Sequence, residues 1–170
     1  MTAIGTLKKR SDVLAFYGVP SEGGGKSVTY HRMRGFTEGS TSKNPKEYAR
    51  QYIDEESEQT DVVGYSPSIS YNFDAYAGNE VHADIVRIAN NELTGSDAIR
   101  SIIIVDKTMP GASEGTYKAI KRDYAVIPDS EGDGTDAYTY SGNLKAKGIK
   151  EDVEVASNDG LMTVTITPAG

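Results

Sequence analysis

Alternation of apolar and polar positions is clearest from Ser68 to Tyr76. There Ile69, Tyr71, Phe73 and Ala75 fall on one face, and Ser68, Ser70, Asn72 and Asp74 on the other. That period of two predicts a half-buried antiparallel strand. Val28 to Thr37 alternates in the same way and predicts another. The run from Ser101 to Asp106 is apolar from Ile102 through Val105. It reads as a central strand buried on both faces, one meeting a helix and the other a second sheet. Thr116 to Ile127 predicts a longer strand in which Ile120, Tyr124 and Val126 share a face with Lys118 and Arg122, a mixture that asks for a bulge or an exposed edge. Tyr138 to Lys147 turns Tyr138, Tyr140, Leu144 and Ala146 inward, with Gly142 as a kink. Ile149 to Val155, the turn Ser157-Asn158-Asp159-Gly160 and Leu161 to Thr167 then close the chain as a hairpin, with Met162, Val164 and Ile166 as the core face of its last strand.

The spacing becomes helical between Glu80 and Leu93, where Val81, Ile85, Ile88, Ala89 and Leu93 form one apolar stripe and Asp84, Arg87, Asn90 and Asn91 take the far side. Asn79 is a suitable N-cap, Glu80 suits the positive end of the helix dipole, and Gly95 marks the stop. Near the start, the apolar patch Val13-Leu14-Ala15-Phe16-Tyr17 is closed by Gly18-Val19-Pro20, and Glu22 to Ser27 reads as a flexible turn. Together these elements predict a mainly β domain spanning 1–170. It is a β-sandwich or partly closed barrel of about eight antiparallel strands with one packed α-helix.

The segment at about 43–66 fits neither period. Tyr48, Arg50 and Tyr52 suggest an extended run, which leads into the acidic stretch Asp54-Glu55-Glu56-Ser57-Glu58-Gln59-Thr60-Asp61 and then Val62-Val63-Gly64-Tyr65. A connection this long is usually functional or disordered rather than a mere linker. Its apolar residues call for burial, so it is expected to be a projecting arm that docks on something. The inter-subunit contact residues of this arm are expected to be Asp54, Glu55, Glu56, Glu58, Asp61, Val62, Val63 and Tyr65.

Charge adds a second candidate contact. The net charge is −7, but residues 1–43 hold seven Lys/Arg against three acids, whereas 44–79 hold two against seven and 129–170 three against eight. An acidic chain is a poor candidate for tight nucleic-acid binding, which needs clustered Lys and Arg. The basic start does permit head-to-tail complementarity between copies, with Lys8, Lys9 and Arg10 as the N-terminal contact. With no cysteine, disulfide and thiolate chemistry are excluded. MTAIGTLKKR lacks the apolar region of a signal peptide and no apolar run reaches a membrane span, so the chain is expected in the cytosol when made.

No catalytic, cofactor-binding or metal site is expected. Gly25-Lys26-Ser27 invites a phosphate-loop reading, but that pattern needs glycine where Pro20 stands, and a strand follows rather than a helix. His31 and His82 are the only histidines for base chemistry, and His31 lies alone on its strand. Asp129 to Asp136 begins like a calcium loop, yet its twelfth position is Tyr140 and no helices flank it.

The runs NPKEYARQYIDE and DVVGYSPSISYNFD, the helix ending Glu92-Leu93-Thr94-Gly95, and Tyr140-Ser141-Gly142-Asn143-Leu144 followed by Gly148 resemble the tail tube (major tail) proteins of long-tailed bacteriophages, over about residues 33–167. The resemblance is one of pattern, since that family has no catalytic signature. It implies a structural virion protein, not an enzyme, needing no cofactor. Copies would form hexameric rings that stack into a hollow tube conducting genome DNA during ejection, without specific DNA binding and without a membrane. An acidic lumen drawn from 44–79 and 129–170 would let DNA slide. Its other partners would be tape measure, terminator and distal tail proteins, and its location the phage tail, after assembly in the host cytoplasm. The alternative from a different class is a monomeric β-sandwich module using its Tyr-rich strands as a ligand face.

Overall fold

A computed structural model describes residues 4–22, 27–132 and 134–167. The expected turn at Gly23–Lys26 and Asp133, the fifth position of the calcium-like loop, lie outside them. The strands are β1 (Val13–Pro20), β2 (Val28–Arg32), β3 (Phe36–Ser42), β4 (Pro45–Arg50), β5 (Gln59–Tyr65) and β6 (Ser68–Asp74), followed after α1 (Glu80–Asn90) by β7 (Ile99–Pro110), β8 (Thr116–Glu131), β9 (Thr139–Ala156) and β10 (Thr163–Thr167).

The fold is mainly antiparallel β with one helix. Eight strands form one sheet in the order β10-β2-β1-β7-β8-β9-β6-β3, and β10 also pairs with β9. Six strands therefore close a ring, from which β6 and β3 extend. The length of β9 makes this possible: Thr139–Lys145 lies beside β6, while Glu154–Ala156 lies beside β10.

Each face of the central strands has its own core. Inside the ring, Phe16, Tyr30, Ile103, Val105, Ala119, Val155 and Val164 pack together, one or two from every ring strand. On the opposite face Tyr17, Ile102, Tyr124, Val126 and Leu144 meet Ile69, Tyr71 and Phe73 of β6 and Val81, Ile85 and Ile88 of α1. Neighbouring residues such as Phe16 and Tyr17, or Ile102 and Ile103, point into different cores, which is why these runs are apolar without interruption.

Several elements differ from the sequence expectation. Val28 to Thr37 is not one strand, because Gly35 takes φ +78° and separates β2 from β3. The helix ends at Asn90 rather than Leu93; Glu92, at φ 49°, turns the chain, and Leu93 N–H bonds back to the Ile88 carbonyl at 3.1 Å. Asp84 is not on a solvated side but buried, for reasons given below. Tyr138–Lys147 and Ile149–Val155 are a single strand, β9. Between Lys147 and Glu151 it makes four steps where β8 makes two from Lys121 to Asp123, so the surplus around Gly148 is absorbed as a bulge. The mixed face of β8 has another cause. β8 is central, and α1 covers its Tyr124–Val126 end but leaves Ile120 exposed. Gly142 marks close packing, since a Cβ there would lie 2.3 Å from the Ile127 carbonyl oxygen and 2.7 Å from the Tyr71 hydroxyl. In β10 only Val164 is buried; Met162 and Ile166 are exposed, because the strand is shared between β2 and β9 and only its middle faces the ring.

Candidate assembly surface

Among the described residues, β4 and β5 pair only with each other. Glu47 lies opposite Val62, Tyr48 opposite Asp61, Ala49 opposite Thr60 and Arg50 opposite Gln59, with a register shift between Lys46 and Glu47 that leaves Val63 as the surplus residue. Every residue of the hairpin except Gly64 is exposed. Val62, Val63 and Tyr65 each show more than half their surface to solvent, and Ile53 beside the tip is fully exposed. Asp54, Glu55, Glu56 and Glu58 surround that tip, where Gln51 bonds the carbonyls of Glu55 and Glu56 at 3.1 and 3.3 Å. The chain enters and leaves the hairpin at Ser42 and Ser68, which are directly paired in the β3–β6 register.

The basic start of the chain sits elsewhere. Lys8 forms an ion pair with Asp106 of β7. That contact and the hydrogen bonds from Thr108 hold the Asp106 carboxyl down to about 2. Lys9 is exposed, and its backbone N–H donates to Asp12 at 2.8 Å. Arg10 donates to the Val13 carbonyl at 2.7 Å and reaches the Gly39 carbonyl of β3 at 3.4 Å. The structure thus groups the arm residues on one hairpin and Lys8, Lys9 and Arg10 beside β1.

Between Arg10 and β3 opens a groove of about 740 Å³. It is the part of the helix-side sheet face that α1 leaves uncovered, with Met33, Phe36, Ile69 and Ile104 in its lining. One wall is β3, which pairs only with β6 and so has a free outer edge. Sequence periodicity does not reveal that wall, because Glu38-Gly39-Ser40-Thr41-Ser42 has no apolar alternation. The signals available are Gly35 and the Ser/Thr content of the run.

Apart from the Tyr71 hydroxyl, which is buried without a hydrogen-bond partner among the described residues, the buried polar groups described next hold the fold together. Arg100 of β7 grips Asp84 of α1 through Nε at 2.7 Å and Nη2 at 3.2 Å, and Tyr17 of β1 donates to the same carboxylate at 2.5 Å. Burial opposes ionisation of Asp84, but these bonds outweigh it and keep the carboxyl below its ordinary value. Burial, reinforced by Asp84, pushes the Tyr17 hydroxyl well up. His82 lies flat against Phe73 with ring centroids 4.3 Å apart. Its Nδ1 accepts from the Tyr76 N–H at 3.1 Å, which leaves Nε2 to donate to the Arg34 carbonyl at 2.7 Å. His31 pairs with Tyr17 across β1–β2. Among the described residues no group of three or more His, Cys, Asp or Glu converges as metal ligands would, and no helix is long and apolar enough to cross a membrane.

No family model matches the sequence, and no curated protein sequence does. Among solved structures the chain is similar to a chain in the cryo-EM structure of the anti-feeding prophage (AFP) baseplate, 6-fold symmetrised. The TM-score is 0.46 at 7% identity, over 92% of this chain and 98% of that one. A likeness of that size carries no function from one chain to the other.

Proposed function

We propose that this chain is a structural subunit of a phage-tail particle and, within it, a tail tube protein whose hexameric rings stack into the hollow conduit for genome DNA. The observation that carries the reading is the β4–β5 hairpin. A two-stranded hairpin without a packed face is marginal in water, and this one exposes Tyr48, Tyr52, Ile53, Val62, Val63 and Tyr65. Burying a large apolar side chain is worth about 1.5–3 kcal/mol, so a neighbouring copy that covers the hairpin gains stability from the contact. The sequence resemblance to tail tube proteins supplies the kind of neighbour: another ring of the same subunit. Heterologous contacts of this type close into rings or continue as stacks. The exposed acids at the hairpin tip and the exposed Lys9 and Arg10 give such a contact opposite charges on its two sides.

Sedimentation velocity over a range of concentration tests the reading. Assembly beyond a monomer is expected in low salt and should weaken at high salt, as the screening length falls from about 30 Å to about 3 Å. A chain that stays monomeric at every concentration and ionic strength would instead be the ligand-binding module.

A further inference from the structure

We propose that the groove between Arg10 and β3 is the receptor for the arm of a second copy, entered by strand β5, which adds to the free edge of β3. The proposal rests on the tail-tube reading and names the partner surface that the reading lacks.

Three features of the groove and the hairpin correspond. The first is backbone. Among the described residues nothing pairs with the outer edge of β3 from Thr37 to Ser42, which carries one charge, Glu38, and no proline. Free edges in monomers are normally blocked by lysine, proline or a cover. Here Arg10 only reaches the Gly39 carbonyl, at 3.4 Å, where a partner strand would present an N–H. β5 likewise has a free outer edge, because it pairs with β4 alone.

The second feature is apolar surface. Met33, Phe36 and Ile104 in the groove are only half-buried, and Val62, Val63 and Tyr65 on β5 are exposed. Each set lacks within its own chain the cover that the other provides. The third is charge. The groove carries Arg10 and Arg32 against the single acid Glu38, and neither arginine has a carboxylate partner among the described residues. β5 brings Asp61, with Glu58 just before it. The exposed N-terminal segment Ile4 to Lys9 would bring Lys8 and Lys9 against the same arginines, so charge selects the hairpin over the N-terminus.

Because the chain has no cysteine, engineered thiols report this contact directly. Full-length Thr41→Cys protein is mixed with Val62→Cys, Val63→Cys or Tyr65→Cys protein under assembly conditions and oxidised; Leu7→Cys serves as the rival. Paired strands bring Cα atoms to about 4.5–5.5 Å, within disulfide reach, and the three β5 positions cover alternative registers. The expected result is a disulfide-linked dimer containing one chain of each kind, identified by peptide mass, with at least one β5 variant and not with Leu7→Cys. Oligomers that sediment normally but link only through Leu7→Cys, or through none, overturn the groove assignment and leave the tail-tube reading standing. A mixture that never assembles overturns both.

Discussion

Asp84 couples the helix to the sheet, and its pairing is the most consequential single contact inside the chain. Replacing Arg100 with Met leaves the buried Asp84 carboxylate with only the half-exposed Arg87, 3.2 Å away, as a cationic partner, a loss of about 3 kcal/mol, read as a lower urea midpoint. Adding Asp84→Asn to that variant should recover part of it; a loss under about 1 kcal/mol in the single variant would contradict the account. The sign of the pH effect also follows. The Asp84 carboxyl is depressed in the folded chain, so its contribution is present above the unfolded carboxylate range and fades as pH falls through the folded value. His82 acts in a higher window. Burial lowers its pKa, although the Arg34 carbonyl and Asp74 oppose this. The unfolded chain therefore binds a proton near pH 6.5 that the folded chain refuses, and stability falls with decreasing pH below that point by at most about 1.4 kcal/mol per pH unit. Denaturant titrations between pH 7.5 and 5.5 should show this slope, reduced in His82→Gln; an unchanged slope would contradict it. Neither role was readable in the sequence. Asp84 flanks the stripe of Val81, Ile85 and Ile88, and a carboxylate there scores as solvent-facing until Arg100, on a strand that folds back beneath it, is in view.

The hairpin is the element whose removal should separate folding from assembly. Ser42 and Ser68 are already paired, so replacing residues 43–67 with Asn-Gly joins them directly through a two-residue turn whose closing N–H comes from Ser68 rather than from Pro67. Both cores lie outside the deleted segment. The melting temperature should therefore stay within a few degrees of the parent while sedimentation shows monomer only; unimpaired assembly would remove the arm from the interface. Elements with one period and one environment were legible. β6 alternates because one face is buried along its whole length, and β7 is apolar from Ile102 to Val105 because there it divides two cores. Elements whose environment changes along their length were not. β8 and β9 pass from the helix-covered core to the ring, so their patterns break where the cover changes, and Gly148 separates two expected runs although it sits in a bulge within one strand. β3 lacks apolar residues after Phe36, and its identity as a strand comes from pairing with β6.

At the scale of the molecule, the class of fold was legible from strand number and one helix, and a partly closed barrel was one of the two expected forms; which strand closes it was not legible, because closure depends on β10 pairing with two strands far apart in sequence. The described residues leave unsatisfied an isolated hairpin, an uncovered stretch of sheet and a free β3 edge beside arginines without a carboxylate partner. The proposed tube subunit would cover each of these with a neighbouring copy. Electron microscopy of the concentrated full-length protein at low salt tests that claim most directly. The account predicts sixfold rings end-on and stacks of such rings in side view. A field of single 18.3 kDa particles, or closed dimers with no larger species at any concentration, would contradict it.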